Sequence, residues 1–108
     1  MGILDLILKR RVKRGDLSNY AKGIRAERLI KNRLEKKGWL VRQSKGSRGP
    51  YDLYALKGGK KLLIQVKSGT ASASRKEIRR LRRAAKSKGA KALIMKVKGK
   101  RIKSRFVY

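Results

Sequence analysis

The stretch from Pro50 to Lys67 constrains the fold of this chain most, because it predicts a β-hairpin. Two apolar runs of strand type flank the pair Gly58-Gly59. Paired glycines supply the positive φ angles that a tight turn between antiparallel strands requires. We therefore expect the rest of the chain to be arranged around this hairpin.

The two ends of the hairpin carry polar side chains that could act together. Asp52 precedes the first strand, whereas Gln65 and Lys67 lie near the end of the second. Side chains alternate between the faces of a strand, so Gln65 and Lys67 share one face. Strands paired roughly in register bring Asp52 close to both residues. Two oxygen ligands beside a cation suit metal-assisted attack on a phosphate.

The charge of the chain points to a polyanionic partner. Its 108 residues include 34 Lys and Arg but only 6 Asp and Glu, for a net charge of +28. Such a chain would repel itself unless a polyanion, most commonly nucleic acid, were its usual partner. Because 40% of the residues are hydrophobic and regularly spaced, we expect this charge to cover one folded domain.

Composition also excludes several classes of site. The chain contains no cysteine and no histidine, which excludes disulfides, thiolate sites, imidazole bases and histidine zinc sites. Carboxylates, lysine and a bound metal remain as candidate catalysts. The N-terminal apolar run, residues 3–8, is too short to span a membrane, and basic residues follow it rather than precede it as in a signal peptide. We therefore expect a cytoplasmic protein with no membrane partner.

Residues 1–15 are predicted to form a basic amphipathic appendage to a domain that covers residues 16–108. Apolar residues with helical spacing between Ile3 and Leu8 precede a basic run. Gly15 is expected to break this pattern. Packing on the domain or on a partner subunit is one reading of the appendage, and contact with phosphate is the other.

A long helix is expected next, from Ser18 or Asn19 to Lys37, and Gly38 ends it. On a helical wheel, its apolar residues gather on one side around Glu27. These apolar residues are Tyr20, Ile24, Ile30 and Leu34, whereas Leu29 lies opposite. A carboxylate on the core-facing side is costly unless it is paired. Glu27 is therefore either bridged to a neighbouring Lys or Arg or part of a functional site.

A strand and a polar loop are predicted between this helix and the hairpin. Residues 39–43 favour the strand, and residues 44–49 favour the loop. The loop contains Lys45, Ser47 and Arg48, whose cations and hydroxyl suit contact with a phosphodiester. A loop that merely connects two strands is an equally favoured alternative.

A second helix and two further strands are predicted after the hairpin. Ser74 and Glu77 form a capping box, which assigns Glu77 a structural role, and Gly89 ends the helix. Seven cations cover the part of the helix that lies away from its packing side, namely Arg75, Lys76, Arg79, Arg80, Arg82, Arg83 and Lys86. So many cations on one short helix repel one another unless phosphate lies nearby. Residues 92–95 and 102–108 favour the two strands.

Four polar residues are expected to converge on one edge of the predicted sheet, namely Glu27, Asp52, Gln65 and Lys67. Mg²⁺ prefers oxygen ligands and keeps several waters, so Asp52, Gln65 and Glu27 suit a Mg²⁺ site, with Mn²⁺ as the alternative ion. Lys67 is then placed to stabilise the charge that develops on a phosphate or to orient the attacking water.

With these residues in this succession, the chain resembles the PD-(D/E)xK nucleases and, among them, the archaeal Holliday-junction resolvases. The resemblance covers residues 20–108. The segments that carry it are Lys22–Arg28, Gly38–Arg42, Lys45–Ser47, Tyr51–Leu53 and Leu63–Lys67. It implies an α/β protein of the restriction-endonuclease-like class, with a central mixed β-sheet flanked by helices. The extra N-terminal helical segment predicted above lies outside the resemblance. The resemblance also implies a homodimer that hydrolyses DNA phosphodiesters with a divalent metal.

The resemblance assigns roles to individual residues. Asp52 looks like the metal-binding aspartate, Lys67 like the motif lysine, Glu27 like the helix glutamate that completes the site, and Ser47 like the catalytic-loop serine. Gln65 departs from the resolvases, which have a glutamate there, and is similar to the Gln-x-Lys arrangement of Mrr-type restriction endonucleases. The residues expected to contact DNA are Arg25, Arg28, Arg42, Lys45, Arg48, Arg75, Arg79, Arg82 and Arg83.

These observations favour a metal-dependent, structure-selective DNA endonuclease that resolves four-way junctions. A related nuclease that acts on flaps or modified duplex is one alternative. A non-catalytic DNA-binding protein on the same fold is another, because a neutral amide at Gln65 binds Mg²⁺ less strongly than a carboxylate. An RNA-binding protein would leave the set of Glu27, Asp52, Gln65 and Lys67 unexplained.

Overall fold

A computed structural model of the protein describes residues 14–44 and 49–108, with side chains described from residue 21 onward. Two helices and five strands make up this part of the chain. In order they are α1 (Arg14–Lys36), β1 (Leu40–Gln43), β2 (Leu53–Lys57), β3 (Lys60–Ser68), α2 (Arg75–Lys88), β4 (Lys91–Lys98) and β5 (Arg101–Phe106).

The five strands form one mixed sheet in the order of the sequence. Strands β1, β2 and β3 pair antiparallel, β3 and β4 pair parallel, and β4 and β5 pair antiparallel. The parallel pair requires a crossover, and α2 supplies it. One helix packs on each face of the sheet. The predicted α/β architecture is therefore confirmed.

The hairpin predicted at the centre of the chain is the β2–β3 pair. Lys57 pairs with Lys60 across the turn, where Gly58 and Gly59 have φ angles of 51° and 82°. Both glycines adopt the left-handed region that a two-residue turn requires. Ile64 packs towards α1, and Leu63 packs towards α2. This alternation confirms that Gln65 and Lys67 lie on the α2 face.

Helix α1 differs from its prediction in where it begins and in which side it buries. It begins at Arg14 and runs through Gly15, because the first turn of a helix lacks internal partners for its N–H groups and tolerates such residues. Ala26 and Ile30 are buried, and Leu29 packs against the same core. Ile24 is 40% exposed. The predicted positions of Ile24 and Leu29 were wrong, because the buried stripe is centred on Ala26 and Ile30.

Helix α2 has the predicted ends. Glu77 N donates to Ser74 Oγ at 3.1 Å, and Ser74 N donates to Glu77 Oε1 at 3.0 Å, which completes the capping box. Gly89 ends the helix with a φ of 65°. Leu81 and Ala85 are buried against the sheet. The helix is thereby fixed over the end of β3 that carries Gln65 and Lys67.

Some predictions fall on residues outside the described part of the chain. These are residues 1–13 of the appendage predicted over residues 1–15, and Lys45, Ser47 and Arg48 of the predicted loop. Neither of the two described helices is long and apolar enough to cross a membrane.

Candidate active site

Asp52 is held against the end of β3 by its backbone and by its side chain. Its N–H donates to Ile64 O at 2.8 Å. Its Oδ2 accepts a hydrogen bond from Val66 N at 2.7 Å. The predicted proximity of Asp52 to Gln65 and Lys67 is therefore confirmed, and one carboxylate oxygen has a fixed position.

The Asp52 carboxylate is electrostatically destabilised. Burial raises the pKa of Asp52 above its ordinary value, and the negative charge of Glu77 adds to this effect. The hydrogen bond from Val66 and the positive charge of Lys67 lower the pKa, but they do not cancel the cost of burial. An additional cation at this position would favour the ionised form.

Glu27 reaches the same region from α1. Its side chain is partly buried, and burial raises its pKa, as does the charge of Asp52. Within residues 21–44 and 49–108 the one ion pair joins Lys67 to Glu77, so Glu27 has no bridging Lys or Arg there. Glu27 and Asp52 thus form a pair of neighbouring carboxylates that repel each other.

Glu77 is the site residue whose contact with Gln65 and Lys67 the sequence did not reveal. Its Oε2 accepts hydrogen bonds from Gln65 Nε2 at 2.8 Å and from Lys67 Nζ at 2.7 Å. The contact with Lys67 is the largest cause of the lowered pKa of Glu77. The structural role predicted for Glu77 is confirmed but incomplete, because the residue that caps α2 also holds the two polar side chains of β3. The spacing of a capping box gives no sign of this contact.

The contact with Glu77 fixes which way the Gln65 amide faces. An ionised carboxylate can only accept hydrogen bonds, so the amide must present its nitrogen to Glu77. The oxygen of Gln65 then lies on the opposite edge of the planar amide. Gln65 is therefore able to offer an oxygen ligand on the side away from Glu77.

The donor set fits a hard divalent cation. Glu27 and Asp52 supply carboxylate oxygens that are destabilised in the absence of a positive charge, and Gln65 supplies an amide oxygen. In the described part of the chain no three Asp, Glu, His or Cys residues surround a common point. Such a site suits Mg²⁺, which keeps several waters and binds through one or two carboxylates.

The arginines predicted to contact DNA lie on the surface of the domain. All those in the described ranges are exposed, namely Arg25, Arg28, Arg42, Arg75, Arg79, Arg82 and Arg83. Arg25 lines a groove together with Ser68, which follows Lys67 in β3. Their contact with DNA stays a prediction.

Known proteins resemble this chain in sequence and in fold. Residues 20–100 match the Mrr_cat model of a restriction endonuclease family. The structure is similar to that of Hjc, a Holliday junction resolvase from the archaeal hyperthermophile Archaeoglobus fulgidus, with 27% sequence identity and a TM-score of 0.71 over 80% of this chain and 73% of Hjc. It is also similar in fold to the bacterial homing endonuclease I-Ssp6803I, with 23% identity and a TM-score of 0.50 over 80% of this chain and 63% of that one. No curated protein sequence matches the chain.

Proposed function

Because this chain belongs to the Mrr-type restriction endonuclease family, we propose that it hydrolyses DNA phosphodiesters with a divalent metal and that four-way junctions are its preferred substrate. The observation that carries the proposal is the position of Asp52 against β3, where the Val66 N–H between Gln65 and Lys67 holds its carboxylate and where the charge of Glu27 repels it. In the described part of the chain neither carboxylate forms an ion pair with Lys or Arg, and the net charge of +28 favours a polyanionic substrate.

In this proposal the metal ligands are Asp52, Glu27 and the oxygen of Gln65. A divalent cation bound by them would polarise the scissile phosphate and help to form the nucleophile at neutral pH. Mg²⁺ is the proposed ion, and Mn²⁺ is the alternative because it accepts the same oxygen donors.

The protein's own residues orient the reacting groups. Val66 N–H fixes one oxygen of Asp52, and Glu77 fixes both the Gln65 amide and the Lys67 ammonium. A lysine held in an ion pair acts as a positive charge, so we assign Lys67 to the stabilisation of negative charge on the phosphoryl oxygens. Ser47, which precedes β2 in the sequence and lies outside the described residues, remains a proposed catalytic residue.

The preference for junctions is supported by the likeness to Hjc and by the net charge of +28. A four-way junction has approximate two-fold symmetry, so a resolvase acts best as a closed dimer with one active site in each subunit. A homodimer is therefore part of the proposal, and so is a cytoplasmic location.

The test compares a four-way junction, a duplex of matching sequence and a flap, each incubated with the protein in Mg²⁺ or in EDTA. We expect cleavage of the junction in Mg²⁺, no cleavage in EDTA, and weaker cleavage of the other two DNAs. Equal cleavage of all three would contradict junction selectivity but not the nuclease. Tight binding without cleavage in Mg²⁺ or Mn²⁺ would instead support the non-catalytic alternative, which the neutral amide of Gln65 favours.

A further inference from the structure

Strands β4 and β5 carry a cluster of cations that adjoins the candidate active site. Lys96 is the register partner of Lys67 on β3 and of Lys103 on β5. Register partners on neighbouring strands present their side chains on the same face of a sheet. Lys67, Lys96 and Lys103 therefore form a row across three adjacent strands, which we call the lysine row.

A second cationic pair lies beside the row. Lys98 pairs with Arg101 across β4 and β5. Lys98 is two residues beyond Lys96, and so it lies on the same face of the sheet. These four cations of β4 and β5 line a groove that Thr70 also borders. The lysine row is thus one edge of a continuous cationic surface.

This arrangement is unfavourable unless an anion binds to it. Like charges directly opposite each other on paired strands destabilise a sheet, and two such pairs, Lys96 with Lys103 and Lys98 with Arg101, occur side by side. In the described ranges the lone ion pair belongs to Lys67 and Glu77, so no carboxylate there neutralises Lys96 or Lys103. The exposed side chain of Lys103 leaves the row open to a large ligand.

Strand β4 is longer than the sequence predicts, and the row depends on the difference. The apolar run that predicted β4 ends at Met95, but the strand continues to Lys98. β5 begins at Arg101, one residue before its predicted start, and ends at Phe106, two residues before its predicted end. Lys96, Lys98 and Arg101, which lie outside the two predicted strands, are therefore part of the sheet and share a face with Lys67.

We propose that the lysine row and the neighbouring pair, Lys98 and Arg101, bind the phosphodiester backbone of a DNA arm as it leaves the active site. The row spans two strand spacings, about 10 Å, over which one strand of duplex DNA advances by about three nucleotides. Lysine suits this task because its ammonium is a point charge on a flexible stem. The inference rests on the proposed function, because it takes DNA as the substrate.

The test compares two double variants, each of which removes two positive charges. Lys96→Gln/Lys103→Gln changes the row, whereas Lys60→Gln/Lys91→Gln changes exposed lysines at the opposite ends of β3 and β4. Affinity for a four-way junction and for a duplex is measured in EDTA at several salt concentrations. Melting temperatures establish that both variants fold.

We expect the row variant to bind more weakly and with a smaller salt dependence. Loss of two phosphate contacts reduces the steepness of log affinity against log salt by about 1.8. The ratio of the affinity of the unmodified protein to that of the row variant should therefore fall roughly tenfold between 50 and 200 mM salt. The control variant should keep the original slope, and Lys96→Arg/Lys103→Arg should retain binding. Equal slopes for the row variant and the control would overturn the proposal.

The outcome is separable from that of the cleavage assay. If the row variant binds DNA more weakly and with a smaller salt dependence, the inference is supported even if the unmodified protein fails to cut DNA in Mg²⁺. A row variant indistinguishable from the control overturns the inference even if the junction is cleaved.

Discussion

Two pairs of charged side chains in the site show opposite ways of placing acids in a very basic protein. In the first, Glu27 and Asp52, burial raises both pKa values and the two charges repel. In the second, Lys67 and Glu77, an ion pair of 2.7 Å lowers the pKa of Glu77. We call these the acidic pair and the neutralised pair. A cation from outside the chain would stabilise the acidic pair, whereas the neutralised pair contains its own cation.

Gln65 contacts the neutralised pair and is a proposed metal ligand together with the acidic pair. Its nitrogen donates to Glu77 in the neutralised pair, and its oxygen faces away from that contact. A carboxylate at this position would lie against Glu77 without a proton to share. The contact therefore offers a physical reason for an amide at residue 65, because the neighbouring acid on α2 already supplies the negative charge.

The largest effect is expected from Asp52→Asn, which removes a charge from the acidic pair. Loss of about 4 kcal/mol of transition-state stabilisation would slow junction cleavage by about a thousandfold. Binding in EDTA should persist, because Asn can still accept the hydrogen bond from Val66. Single-turnover cleavage and a binding titration measure the two properties. Cleavage at the original rate would remove Asp52 from the active site.

A smaller effect is expected from Gln65→Glu, which adds a negative charge between the proposed metal site and Glu77. The added charge should lower the Mg²⁺ concentration for half-maximal cleavage by a few fold, because ligand charge strengthens attraction for a hard ion. Repulsion from Glu77 should lower the melting temperature in EDTA. The double variant Gln65→Glu/Glu77→Gln restores one amide and one carboxylate, so it should recover stability. If neither property changes, Gln65 is not a ligand.

A further prediction separates the capping role of Glu77 from its role in the site. Glu77→Gln keeps a capping box, since Gln serves at that position, but it removes the ion pair with Lys67. Cleavage should fall by about tenfold, a loss of about 1.4 kcal/mol. Loss of the ion pair should also make Glu77→Gln less stable than the unmodified protein at neutral pH. This difference should vanish as the pH falls through the lowered pKa of Glu77, because the stabilising charge is present only above it.

The matched control for Glu77 is Ser74→Ala, which removes the cap but leaves the contacts with Gln65 and Lys67. It should cost about 1 kcal/mol of unfolding free energy with little change in cleavage. Similar cleavage by Glu77→Gln and Ser74→Ala would mean that Glu77 acts only as a cap.

The smallest effect concerns the stability of the acidic pair without metal. A raised pKa in the folded state means that ionisation favours unfolding, so stability is lost as the pH rises through the ordinary and then the raised pKa. Glu27→Gln should therefore raise the melting temperature in EDTA at neutral pH and leave it unchanged well below pH 4.5, the ordinary value. Glu35→Gln, at an exposed position of the same helix, is the control. A lower melting temperature for Glu27→Gln at neutral pH would contradict the assignment of an unpaired acid.

Sequence patterns predicted the fold and much of the site because these depend on local rules. The turn at Gly58-Gly59, the alternation along β3 and the capping box at Ser74 are set by a few neighbouring residues. The proximity of Asp52 to Lys67 followed from the hairpin alone.

The contacts that escaped prediction depend on how distant elements pack. The approach of Glu77 to Gln65 and Lys67 requires the position of α2 over β3, which a capping motif does not define. The side of α1 that is buried depends on the sheet beneath it. Leu29 therefore packs against the core although it was predicted to lie opposite, and Ile24 is exposed although it was predicted on the core side.

The most direct test of the account is whether Mg²⁺ stabilises the protein through the acidic pair. The melting temperature is measured with and without Mg²⁺ at constant ionic strength for the unmodified protein, Asp52→Asn, Glu27→Gln and Glu35→Gln. A cation bound only by the folded state raises the melting temperature. We predict a gain for the unmodified protein and Glu35→Gln, and a much smaller gain for the other two variants. An equal gain for all four proteins would contradict a metal site at Glu27 and Asp52.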